Sequence, residues 1–501
     1  MVFSEWQYSR PDYAQLKNTL SIIKSSIISA LSYDELRSSW LDMKNMIQHM
    51  EYMEMIAYIR HLCGINYEEN TREVVVQNSE DPEIYAICAE IDRLVKSSCY
   101  ADALRNEFGS MVFAHVNELP SVNVNDSVRL QREELQLKTR YRKLISARER
   151  DEDELYRVFD RLCETRKTLA ESLGYNSYID LGYHLRNRYD YGKDELKLFR
   201  ERIRNSVTPV LNEYRNSGIT RIRIPASADN SRGLVAAVAD MFRDLGGGDY
   251  IEEMTRYELY DLDLRDNKRP DRFTCCMIPC KKLPFVIGGF SGDGMETGMA
   301  VHEFGHGFAF YTAARTQPLY DFHRSSPSIN EIHSKTMEYF MFPYLDSFVG
   351  EKKKEFVINH TVREFENLIY RCAIDEFEHE MYELTHRTRI ELCELWASIS
   401  NKYMPWKTID AGSIRKGNAW PHQTHIVEVP FYYIEYDLAQ IGACEFYLKM
   451  QRDQKAAWQD YVRLCGAGGS RPYFELLKIA RLSNPFSESI IKNISSVFAD
   501  I

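Results

Sequence analysis

The chain has 501 residues, 44% of them hydrophobic and 27% charged, and a net charge of −11. That length can bury a sizeable core and hold two or three domains or one continuous helical body. The acidic balance argues against a broad nucleic-acid surface, since runs as short as Lys281-Lys282 and Lys352-Lys353-Lys354 read as solvated faces.

Along the chain, helical periodicity dominates. Met1 to Pro11 lacks a basic segment followed by an apolar stretch, and no later run of about 18 uncharged apolar residues exists, so neither a signal peptide nor a membrane span is expected. Tyr13 to Ile65 reads as helices rich in Leu, Ile and Met. Val128 to Leu173, dense in Arg, Glu and Leu with no Pro or Gly, reads as an extended helical hairpin. Gly174-Tyr175-Asn176-Ser177 breaks that pattern, dividing the chain into an N-terminal helical region, 1–173, and a second body, 174–501. The strand candidates are Thr220 to Pro225 and Leu283 to Phe290, with Gly246-Gly247-Gly248 marking a turn and lacking the Lys of a phosphate loop. Eleven cysteines, odd in number and scattered, fit reduced thiols in the cytoplasm. Cys275, Cys276 and Cys280 lack the second pair of a zinc ribbon and read as plain buried thiols.

Val301-His302-Glu303-Phe304-Gly305-His306 is an H-E-x-x-H pattern inside the apolar run from Met299 to Phe310. On a helix, His302 and His306 project from one face and can grip one zinc ion, with Glu303 beside them as a candidate general base. Catalytic zinc takes three protein ligands and an open position. Ser328 to Phe340 reads as a helix capped by Ser328 or Asn330. Glu331, near its start, could complete a His, His, Glu set, with Glu338 two turns on supporting a ligand from behind. The alternative is a buried helix whose histidines satisfy each other, with Glu331 an ordinary first-turn glutamate favoured by the helix dipole.

His302, Glu303, Gly305 and His306 followed by Glu331-Ile332-His333-Ser334 and Met337-Glu338 resemble the metal-binding core of the thimet oligopeptidase and oligoendopeptidase F family of zinc peptidases. The resemblance is strongest toward the oligoendopeptidase F branch. It continues in Leu181-Gly182-Tyr183, in Pro284 to Phe290, in His425 to Tyr436, and in Gly468-Gly469-Ser470 leading to Asn484-Pro485-Phe486. It implies a mostly α fold, a large helical body with a small β-sheet beside the active-site helix and a deep substrate cleft or channel. It also implies a zinc-dependent metalloendopeptidase acting on short unstructured peptides, with one zinc per chain held by His302, His306 and Glu331.

In that reading Glu303 takes a proton from the attacking water, and His425 with a tyrosine of the Phe431 to Tyr436 segment donates to the developing oxyanion. The resemblance points to Tyr432, then Tyr433; a helix begun at Pro430 would place Tyr432 and Tyr436 on one face. Gly288, Gly289 and Phe290 read either as a core strand with a glycine bulge or, with the resemblance, as a strand edge that pairs with an extended peptide. Two rivals remain. One is a zinc carboxypeptidase or dipeptidase gripping a free terminus through Arg324, Arg415 or Arg471. The other is a noncatalytic peptide-binding protein with a structural metal, which would normally need a fourth ligand.

Overall fold

A computed structural model describes residues 2–116, 124–217, 221–266, 268, 273–383 and 388–499. The fold is helical, with one small three-stranded sheet. The chain divides into two compact units, each drawn from three stretches: residues 1–116, 220–361 and 442–484, and residues 117–219, 362–441 and 485–501. The sequence break at 173 and 174 falls inside the second unit's first stretch.

The first unit begins with three helices, Tyr13–Ser29, Tyr33–Leu62 and Tyr67–Lys96. Asp12 and Ser32 cap the first two by accepting from Gln15 N and Glu35 N, which satisfies amides that have no intrahelical partner. Leu20, Trp40, Ile84, Ile91 and Val95 bury their apolar faces together. The Trp40 indole donates to the buried carboxylate of Asp92 at 2.7 Å, so its one polar atom is not left unpaired.

The sheet has the order β1-β3-β2, with β1 Tyr260–Asp261, β2 Thr274–Ile278 and β3 Leu283–Ile287. β3 is buried at all five positions, as an uninterrupted apolar central strand should be. It runs parallel to β1 and antiparallel to β2, with Cys276 opposite Phe285. Thr220 lies outside the described residues, and Arg221 to Pro225 form no strand. Only an isolated bridge links Pro225 to Asp293. The carbonyls there are used otherwise: Ile222 O accepts from Asn359 Nδ2 and Ile224 O from Gly294 N, both at 2.7 Å.

In the second unit, helices Val124–Ile145 and Glu152–Ser172 form the expected hairpin. Its antiparallel register shows in the ion pairs of Arg140 with Glu154 and of Arg161 with Glu133, the second at 2.6 Å, where partners advance in opposite directions along the chain. The turn uses neither Gly nor Pro; Asp151 restarts the helix by accepting from Glu154 N. Among the described residues no helix is long and apolar enough to cross a membrane. All eleven cysteines are free thiols, but of the cluster only Cys276 is fully buried, and Cys280 is exposed.

Candidate metal centre

The H-E-x-x-H residues lie on helix Gly294–Thr316, started by Asp293, whose side chain accepts from Met295 N at 2.8 Å. Two glycines let this helix sit deep in the first unit. A Cβ on Gly305 would come within 2.8 Å of Met337 Cβ and 3.1 Å of the Ser334 backbone, so its absence sets how closely helix Pro327–Phe340 can approach. A Cβ on Gly307 would strike Tyr250, whose hydroxyl donates to Phe304 O at 3.1 Å. The sequence therefore places glycine where helix packs on helix and on the sheet region.

Helix Pro327–Phe340 is capped two residues before Ser328, the nearer of the two expected caps. Ser326 is the N-cap and Pro327 the first helical residue; Asn330 instead exchanges two bonds with the Ser325 backbone, at 3.2 and 3.0 Å, and Ser328 is fully buried. From this helix Glu331, 2% exposed, points its Oε2 to 3.3 Å from His302 Nε2 and 3.5 Å from His306 Nε2. One donor atom from each of the three residues lies within 4.8 Å of the others. Ser334 Oγ, 3.1 Å from Glu331 Oε2, braces the carboxylate.

The donor set fits a cation on its own chemistry. His302 Nδ1 is 2.7 Å from Glu338 Oε1, and a carboxylate only accepts, so Nδ1 carries a proton. Nε2 faces Glu331 Oε2, a second acceptor, so the contact needs positive charge between the two atoms, either a proton on Nε2 or a metal ion in its place. Burial alone would lower the His302 pKa, but its bonds to Glu331 and Glu338 outweigh that and raise it to about 10. Burial would likewise raise Glu331, yet His306 and His302 hold it well below the usual carboxylate range. Glu303, next to His302 on the helix, is pushed upward mainly by burial, which moves a carboxylate toward the range of a general base.

Behind Glu338 stands a residue that sequence reasoning missed. His360 Nε2 is 2.6 Å from Glu338 Oε2, and the ring is 1% exposed between Tyr339, Phe342 and Phe356. An isolated histidine carries no spacing signal; only the fold puts it there.

The second unit gathers the other expected residues. His425 lies on helix Thr424–Glu428, with its ring centroid 4.5 Å from Tyr433 and 6.2 Å from both Tyr432 and Tyr436. The helix expected from Pro430 does not form; the next one is Glu435–Arg452. Val429 to Tyr432 make a tight turn instead, Tyr432 N donating to Val429 O at 3.1 Å, with Phe431 at φ +62°. Pro followed by positive φ is the pattern of a type II turn, in which Gly normally takes Phe431's place. Phe in that region carries strain of about 1–3 kcal/mol. Arg371 was also missed: its guanidinium lies 4.9 Å from the Tyr436 ring centroid and 5.8 Å from that of Tyr433.

Gly288 to Phe290, read as a strand edge, continue the pairing of β3 on the side of β1. Gly288 N donates to Asp261 O and Phe290 N to Leu262 O, both at 2.9 Å, so these amides are spent within the first unit. The strand beside them is central, and β2 is an edge strand. A Cβ on Gly288 would strike the Phe273 ring, which explains the glycine by packing.

Comparison with known proteins identifies the family and the fold. Two family profiles match, the "Peptidase M3 N-terminal domain" over residues 3–118 and "Peptidase family M3" over residues 249–496. No curated protein gives a significant match. Among solved structures, one provisionally assigned as oligoendopeptidase F is 26% identical with a TM-score of 0.92, covering 100% of this chain and 98% of that one. PZ peptidase A with an inhibitor is 25% identical with a TM-score of 0.91, covering 100% and 99%. A third structure, from Bacillus anthracis and also provisionally assigned as oligoendopeptidase F, is 23% identical with a TM-score of 0.88, covering 100% and 98%.

Proposed function

The chain belongs to peptidase family M3 and is a metallo-oligopeptidase, and from that premise we propose that it is a cytoplasmic zinc endopeptidase cutting short unstructured peptides. The observation that carries the reading is the convergence of His302, His306 and Glu331 on one point, with buried Glu303 next to His302 on the same turn. A set of two imidazoles and one carboxylate is the ligand chemistry of catalytic zinc, which leaves room for water and substrate.

Zinc held there would supply the positive charge that acidifies water and polarises the scissile carbonyl. Glu303 accepts the proton of the attacking water and returns it to the leaving amine, a task suited to a carboxylate whose pKa burial has raised. Glu338 and His360 fix the His302 ring and its tautomer. His425 and Tyr432, with Tyr433 and Tyr436 beside them, donate hydrogen bonds to the oxyanion. Phe290 and the backbone at Gly288 and Gly289 help shape the peptide site, while backbone pairing with an extended substrate passes to the edge strand β2.

Chelation followed by metal replacement tests this reading. Activity against an internally quenched peptide blocked at both ends should vanish with chelator and return with one equivalent of zinc per chain. Cleavage confined to unblocked peptides would point to an exopeptidase, and full activity in the chelated protein would end the reading.

A further inference from the structure

The strained turn that carries Phe431 is held from both sides by buried polar side chains. The Phe431 N–H donates to both oxygens of Glu378 at 3.1 Å. Its carbonyl accepts from Arg188, whose Nε donates at 2.6 Å to Glu435, and neither side chain of that pair is exposed. The Phe431 ring is also fully buried, with centroids 5.1 Å from His379, 5.5 Å from Tyr382 and 5.9 Å from Tyr183. Gly182 makes the space: a Cβ there would come within 2.5 Å of the ring. Arg188 is itself delivered by a positive-φ residue, Asn187 at +57°.

A left-handed Phe needs external restraint, because a small rotation about φ would relieve its strain. Here the amide, the carbonyl and the ring of one residue are all fixed, the amide and ring by helix Lys353–Glu383 and the ring and carbonyl by residues 182–188. The next two residues are Tyr432 and Tyr433, and Glu435, which holds Arg188, closes the segment by donating its N–H to Tyr432 O at 2.9 Å. Burying an Arg–Glu pair and a further carboxylate is costly in stability, so packing alone does not account for the arrangement.

We propose that Phe431, clamped by Glu378 and Arg188, is the positioning residue that fixes the Tyr432 and Tyr433 hydroxyls for transition-state stabilisation. This rests on the reading of those tyrosines as oxyanion donors. A donor must sit within a few tenths of an ångström of where charge develops, so loosening the turn should cost turnover while leaving substrate affinity largely intact.

Steady-state kinetics on the full-length zinc enzyme tests it, with zinc content and melting temperature measured for every variant. Phe431→Gly and Phe431→Ala both delete the ring, but Gly adopts positive φ freely whereas Ala does not. Glu378→Gln turns one of the two oxygens that accept from the amide into a donor. Leu211→Ala, at a fully buried position of helix Lys193–Asn216, serves as a control for stability loss alone. The expected result is a fall in kcat of at least 10-fold in Phe431→Ala and Glu378→Gln with KM within about threefold and zinc unchanged. Phe431→Gly should retain several-fold more kcat than Phe431→Ala, and Leu211→Ala should keep normal kcat below its melting temperature. If Tyr432→Phe or Tyr433→Phe lowers kcat but Phe431→Ala and Glu378→Gln match the control, the positioning role is wrong and the donor role stands. Normal kcat in both Tyr→Phe variants overturns the donor reading and the positioning role together.

Discussion

The metal cluster of the first unit and the tyrosine segment of the second reach order by opposite routes. His302, Glu303, His306 and Glu331 sit on two regular helices whose spacing a single glycine sets, and regular backbone satisfies its own hydrogen bonds. Tyr432 and Tyr433 sit on irregular backbone whose strained amide and carbonyl must be satisfied by Glu378 and Arg188, residues far away in sequence. A site on continuous helices is specified by local periodicity. One on a turn is specified by whichever distant side chains hold it.

Breaking the helical site should have the largest effect. Glu303→Gln should lower turnover by about 10² to 10⁴-fold while zinc stays at one per chain. Glu331→Ala and His306→Ala should lose metal as well as activity. Elemental analysis beside the peptide assay separates the two; full zinc occupancy in Glu331→Ala would remove that residue from the ligand set.

The irregular site should respond in rate without metal loss. Tyr432→Phe is expected to cost about 10² to 10³-fold in kcat with zinc unchanged, the loss typical of one oxyanion donor. If only Tyr433→Phe shows that loss, the donor is one residue along the turn.

Gly305→Ala attacks the helical site through packing alone. The added methyl meets Met337 and the Ser334 backbone, and overpacking of this kind costs about 1–3 kcal/mol. A lowered melting temperature with weaker zinc retention is expected, and an unchanged value of both would show that the helices can part freely.

The smallest effect is a pH dependence confined to the clamp. Burial, reinforced by Asp375, raises the Glu378 pKa from 4.5 to about 8 against the opposing Phe431 amide, Arg188 and Arg166. A carboxyl raised on folding binds its proton more tightly in the native state, so its stabilising contribution is full below about pH 4.5 and is lost as pH rises through about 8. Melting temperatures across that window should therefore fall more steeply in the parent than in Glu378→Gln. Parallel curves would show that Glu378 titrates normally.

The helical class, the hairpin of residues 128–173 and the His302 to Glu331 arrangement were legible in the sequence, because periodicity and an i, i+4 histidine pair are local properties. The turn at Phe431 was not. Pro430 suits a helix start and a type II turn equally, and only the partners offered by Glu378 and Arg188 favour the second. The same limit hid His360, a lone histidine until the fold brings it to Glu338, and β2, five residues with no clear alternation. It also misplaced the strand at Arg221 to Pro225, whose carbonyls found Asn359 and Gly294 instead of a neighbouring strand. The sequence by itself determined which residues can share a helix face and therefore which could bind a metal together. Tertiary structure decided which carboxylate orients His302, which amides of the sheet are already spent and how the tyrosine turn is held, because those outcomes depend on buried polar groups finding partners that no local pattern announces.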